Sequence, residues 1–176
     1  MQKDLIYKCL GKIDVSQASE LIISNIVLFD EDVRRQKLYE VHKSTKSIFL
    51  REGDLNSPMF TYKDHVNLET FKLLFDQIEH IIGIELSDIY NAILVLMPPH
   101  TSIKPHVDGG ALLRTLVRAH VPIITNGKVM FNIEGNEKNM KAGEVWAINN
   151  LKTHSVRNDS DEDRIHLIFD YKEVLK

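Results

Sequence analysis

The chain has 176 residues, 43% of them apolar and 27% charged, an ordinary globular composition with enough length for one sizeable core. Its formal charge of -3 and scattered lysines give no basic field for a nucleic-acid partner, and its longest fully apolar run, Ala92 to Met97, falls far short of the roughly 20 residues that span a bilayer. Cys9 is the only cysteine, which excludes an internal disulfide and a thiolate zinc site and fits the cytoplasm; Met1 to Asp14 carry Lys3, Asp4 and Lys8 and lack the pattern of an export signal.

In chain order, Leu5 to Leu10 reads as a strand, Val15 to Asn25 as a weakly amphipathic helix and Ser47 to Arg51 as a second strand. The clearest helix is Leu68 to Ile82, where Phe71, Leu74, Phe75, Ile78 and Ile82 recur on one face. Asn67 can cap its start and Gly83 can end it. From Ile89 onward the pattern changes to β-rich runs: Ala92 to Met97, Leu112 to Ile124, Val129 to Ile133, Glu144 to Asn149, His154 to Arg157 and Ile165 to Tyr171. Pro-Pro, Asn-Gly, Gly-Asn and Asp-rich connectors separate them with no helix of useful length between, which favours a mainly β sandwich or jelly roll over a βαβ array. The expectation is one domain over 1–176, with a mixed helix and strand support over 1–88 buttressing a barrel over 89–172.

His106-Val107-Asp108 carries the chemistry. Successive side chains of a strand alternate faces, so His106 and Asp108 would point the same way and grip one ion, with His154 supplied from elsewhere in the fold. Two histidines and a carboxylate on one face of a metal leave positions open, the arrangement of non-haem Fe(II) oxygenases. The competing reading makes Asp108, followed by Gly109-Gly110, a turn former and His154 a surface residue; spacing alone does not separate the two.

Alternation over Leu112 to Ile124 puts Arg114, Leu116, Arg118 and His120 on one face. That face is either solvated or lines the barrel, where its donors would need an anionic partner. Arg164 opens the last strand beyond the acidic turn Asp159 to Asp163. Its planar fork suits either that turn or the far end of a dicarboxylate bound at the metal.

The run Met97 to Asp108, then Arg118-Ala119-His120-Val121-Pro122, then His154 to Asn158 and Arg164-Ile165-His166-Leu167 resembles the aspartyl/asparaginyl β-hydroxylase family of iron and 2-oxoglutarate-dependent oxygenases, over about residues 90 to 171. The resemblance implies a double-stranded β-helix, a cupin-like jelly roll. It also implies iron ligation by His106, Asp108 and His154, the distal carboxylate of 2-oxoglutarate on Arg164, and further cosubstrate contacts from Arg118 and His120. The protein-modifying members have glycine where this chain has Asp108, which draws it toward the bacterial proline hydroxylase branch, whose members act on free amino acids. Val95 stands where the protein-modifying members place a cosubstrate-binding serine, and the sequence ends sooner after the last strand than is usual for proline hydroxylases. His42 to Arg51 also resembles the family's segment before the barrel, with His42, Thr45 and Arg51 structural or solvated by default and Trp146 a packing residue.

The activity so implied is hydroxylation of an unactivated C–H by Fe(II), 2-oxoglutarate and O2, on a small-molecule amino acid or on an Asp, Asn or Pro residue of a peptide, with neither nucleic acid nor membrane as partner. A cupin-like metalloenzyme that does not use 2-oxoglutarate, and a non-catalytic jelly-roll binding module, are the alternatives. Substrate, oligomeric state and the roles of Arg114, His166, His42 and Arg51 stay open at this level.

Overall fold

Among the residues that the computed structural model describes, 6–52 and 68–173, ten strands build two antiparallel sheets. The expected cap at Asn67 and the loop 53–64 lie outside the described residues. Strands β3 (Ile89–Met97), β4 (Thr101–His106), β5 (Val117–Ile124), β6 (Val129–Ile133), β7 (Asn136–Lys138), β8 (Glu144–Ile148), β9 (His154–Asn158) and β10 (Arg164–Tyr171) form the eight-stranded jelly roll, a double-stranded β-helix. The larger sheet takes β8-β5-β10-β3 and is extended at its two ends by β1 (Tyr7–Lys12) and β2 (Lys46–Arg51); the smaller sheet has the order β4-β9-β6-β7. No helix among the described residues is long and apolar enough to cross a membrane.

Strand periodicity divides the larger sheet into two faces. Ala92, Leu94, Ala119, Val121, Ile165, Leu167 and Phe169 point outward into one core. Helices α1 (Ser16–Ser24) and α3 (Leu68–Ile82) cover it with Ala18, Ile22, Phe71, Leu74, Phe75 and Ile78. Each fully buried large side chain here contributes about 1.5–3 kcal/mol relative to leaving it in water. Gly83, at φ 74°, ends α3 by donating its N–H to the Glu79 carbonyl at 2.8 Å. Gly143, at φ 79°, turns the chain into β8 where a Cβ would lie 2.3 Å from the Ile13 carbonyl oxygen, so only glycine fits. A second, smaller core, with Met97, Ile103, Phe131, Ile148 and Val156, fills part of the space between the sheets. The rest of that space is polar.

Three sequence expectations change. Leu112 to Arg114 is a turn of 3-10 helix and β5 begins only at Val117, so Arg114 is exposed in a loop and does not share the face of Arg118 and His120. Thr101–His106, which is not among the β-rich runs of the sequence, is the edge strand β4, where Pro105 is tolerated because an edge residue need not donate to the ladder. His106 is the last residue of β4, so Asp108 lies beyond the strand and alternation does not aim it.

Candidate metal centre

His106 and His154 are cross-strand partners of β4 and β9, which brings their rings to a centroid separation of 4.3 Å. Asp108 joins them from the loop, where its backbone N–H donates to the Asn150 carbonyl at 3.1 Å and ties that loop to the turn before β9. Its carboxylate lies 3.7 Å from His106 Nε2 and 3.5 Å from His154 Nε2, and one ligand atom from each residue falls within 4.8 Å of the others. Both imidazoles are aimed by the same device: Nδ1 of His106 donates to the Lys104 carbonyl at 2.8 Å, and Nδ1 of His154 to the Lys152 carbonyl at 2.9 Å. This fixes the tautomer that leaves each Nε2 lone pair facing the site. Phe131 stacks on His154 with ring centroids 5.9 Å apart and holds its plane. Burial lowers the His154 pKa, with the Asp108 charge and the Lys152 carbonyl pulling the other way. For Asp108, burial disfavours the charge, but Arg118, His154 and His106 outweigh it and hold the carboxyl below its ordinary value.

The inner face of the larger sheet forms the floor, carrying Arg118, His120, Arg164, His166 and Asp170 on neighbouring strands. Arg118 is fully engaged: Nε and Nη2 donate to the two oxygens of Asp170 at 2.8 Å each, and Nη1 to Asp108 at 2.5 Å. Burial opposes its charge, yet these two carboxylates hold it protonated. Arg164 is the opposite case. It is 1% exposed, donates from Nη2 to His166 Nδ1 at 2.6 Å, leaves Nε without a partner, and has no carboxylate within ion-pair distance among the described residues. Burial, then Arg35, pushes its pKa down to about 9. His120 Nδ1 and His166 Nε2 are likewise buried and unsatisfied, and burial followed by the Arg164 charge drives both imidazoles well below their ordinary value. A buried polar atom without a partner costs about 1–3 kcal/mol, and more when charged, so this corner is built for a ligand that accepts hydrogen bonds and carries negative charge.

The ligand set opens outward into a cleft of about 620 Å³ walled by Leu38, Phe49, Ile93, Leu112 and Ile168, with Arg51 and Asn91 also in its lining. His42 lies against the metal site, its ring edge-on to His106 at 5.4 Å, and burial, then Arg35, pushes its pKa down to about 3. Thr45 donates to the His42 carbonyl at 2.8 Å and Arg51 to the Leu86 carbonyl at 2.5 Å, so both have structural duties. Trp146 donates to Glu144 at 2.8 Å with Lys138 over its ring, and packs against the inner core without lining the cavity. Val95 lines the inner cavity and offers no hydroxyl. Sequence reasoning missed two residues. Asp170 had a readable signal, an acid on the Arg164 and His166 side of an otherwise apolar strand; Arg35, in the pair Arg34-Arg35, had none.

Two neutral imidazole nitrogens and one carboxylate, aimed together with room beside them, suit a ferrous ion, and an unpaired buried guanidinium across the cavity suits an acidic cosubstrate. The comparisons agree with that chemistry. Residues 35–173 match the family model described as aspartyl/asparaginyl beta-hydroxylase, and the chain belongs to this family. It is thereby an enzyme of the Fe(II) and 2-oxoglutarate-dependent dioxygenase class, with Fe(II) and 2-oxoglutarate as its cofactor and cosubstrate.

Among solved structures, a viral collagen prolyl hydroxylase from Paramecium bursaria Chlorella virus-1 is similar with a TM-score of 0.60 at 10% identity, over 98% of each chain. A Pseudomonas putida prolyl-4-hydroxylase matches with a TM-score of 0.58 at 13% identity, over 96% of this chain and 92% of that one. A 2OG-Fe(II) oxygenase family oxidoreductase from Burkholderia pseudomallei matches with a TM-score of 0.54 at 13% identity, over 74% and 68%. At such identities the likeness speaks for the fold. No curated protein sequence matches the chain.

Proposed function

We propose that the protein hydroxylates an unactivated C–H of an amino acid, free or as an Asp, Asn or Pro residue of a peptide, at Fe(II) held by His106, Asp108 and His154. The observation that carries the reading is Arg164, a buried guanidinium with no acidic partner among the described residues, set in the same cavity as the three ligands. In this reading Arg164 binds the distal carboxylate of 2-oxoglutarate. His120 completes the pocket with its unsatisfied Nδ1, and Arg118, already held by Asp170 and Asp108, fixes the metal carboxylate and offsets its charge. Fe(II) with 2-oxoglutarate and O2 supplies an oxidant able to take hydrogen from carbon, leaving succinate and CO2. The chain's own share is orientation and exclusion of water: Phe131, Ile103 and Val156 pack dry walls around the ligands, which keeps the oxidant from its surroundings. The lone Cys9 supports a reducing, cytoplasmic setting.

The first test is anaerobic 2-oxoglutarate binding with and without Fe(II). The native chain is expected to bind only with the metal, and Asp108→Ala and Arg164→Ala to lose binding by more than about a hundredfold, since groups that merely orient ligands already cost about 10–100-fold. Metal-independent binding, or full binding by Arg164→Ala, would falsify the assignment.

A further inference from the structure

Arg35 is a part-buried guanidinium held only by neutral groups among the described residues. It stands on α2 (Arg34–Leu38), lines both the inner cavity and the outer cleft, and has no carboxylate within ion-pair distance among the described residues. Its neighbour Arg34 is closed by Asp32 at 2.7 Å and Glu52 at 3.2 Å. Arg35 is instead held by neutral groups: Nη2 donates to His42 Nε2 at 3.0 Å and Nη1 approaches Thr45 Oγ1 at 3.4 Å. A guanidinium has no acceptor, so His42 Nε2 must accept, and the His42 proton must sit on Nδ1. That Nδ1 is buried and without a partner. The tautomer that Arg35 imposes therefore leaves an unsatisfied donor beside it, on a ring packed edge-on to His106.

Charge balance points the same way and rests on the function proposed above. Among the described residues, three guanidiniums line the inner cavity, Arg35, Arg118 and Arg164, against the two carboxylates Asp108 and Asp170 bound to Arg118, one positive charge in excess. A ferrous ion raises the excess, and doubly charged 2-oxoglutarate returns it to one positive charge. Arg118 has Asp170 and Asp108 and Arg164 has the cosubstrate's distal carboxylate, so Arg35 is the guanidinium left to take a further carboxylate. We propose that Arg35, with the Nδ1–H of His42, anchors a carboxylate of the primary substrate. The substrate is thus a small amino acid with its α-carboxylate free, its aliphatic part packed against Leu38, Leu112 and Ile168, rather than an internal Asn or Pro residue of a peptide.

The test is anaerobic calorimetry on the protein loaded with Fe(II) and 2-oxoglutarate, titrated with the common amino acids and with their C-terminal amides. At least one free acid should bind the native chain, with its amide roughly tenfold or more weaker. Arg35→Gln should weaken the acid by roughly tenfold to a hundredfold, the usual loss for a charge-assisted hydrogen bond, and leave the amide unchanged. Arg35→Lys should restore part of the loss. Affinity for 2-oxoglutarate should stay native in both variants, which also reports that they are folded. Equal binding of acid and amide, no binding of any free acid, or a loss of 2-oxoglutarate affinity in Arg35→Gln would each overturn the anchor. Native chain that fails to bind 2-oxoglutarate at all marks the failure of the proposed function itself.

Discussion

On its helix side, the last strand in sequence buries Ile165, Leu167 and Phe169; on the side facing the smaller sheet, the alternate positions include Arg164, His166 and Asp170. All six are buried, yet only one side has its chemistry closed. The outer face is sealed by α1 and α3 with apolar contacts and contributes stability. Among the described residues the inner face keeps a guanidinium and two imidazoles short of partners, at a cost that binding of a hydrogen-bonding anion would offset. Stability and function thus share the same backbone and differ by one residue of register.

The largest expected effect strikes the apolar face. Phe75→Ala should destabilise the fold by about 3–5 kcal/mol in denaturant unfolding, while 2-oxoglutarate affinity per folded molecule stays native; a parallel fall in affinity would show that the two faces are not separable. On the polar face the sign reverses. Arg164→Met should lose 2-oxoglutarate binding yet stabilise the ligand-free protein, within the roughly 1–4 kcal/mol seen when buried ions are replaced by apolar residues. A destabilised variant would mean that Arg164 serves packing rather than a ligand.

Acid should sharpen the contrast next. Burial, reinforced by Arg164, keeps His120 and His166 neutral in the fold, whereas in the unfolded chain each binds a proton as the pH falls through about 6.5. Their folded-state pKa is depressed, so the stability is fully present above that pH and is lost below it, by about 1.4 kcal/mol per pH unit for each histidine. Unfolding midpoints measured between about pH 7.5 and 5.5 should fall less steeply in His166→Gln, and an unchanged slope would remove His166 from this account. The smallest effect is expected outside both faces: Arg114→Ala, on an exposed loop, should change stability by no more than about 0.5 kcal/mol and leave cosubstrate binding native.

Much of this was legible residue by residue. The period-two runs from Ile89 onward and the apolar stripe of α3 announce a jelly roll with helices on one side, because periodicity records which face is buried. His106, Asp108 and His154 were legible as donors through their chemistry and through resemblance. The aim of Asp108 was not, because its place depends on a backbone bond to Asn150 rather than on strand alternation. Edge strand β4 was hidden by Pro105, and Arg35 by looking like any solvated charge on a short helix.

Residue types and spacings by themselves determined the strand-rich architecture, the buried helical face and the kinds of group available for ligation, since these follow from local alternation and side-chain chemistry. Only the tertiary structure decided which charges are closed and which are left open. Among the described residues it pairs Arg118 with Asp170 and Asp108 and leaves Arg164 and Arg35 without carboxylates, because pairing depends on distances across sheets that no local pattern encodes.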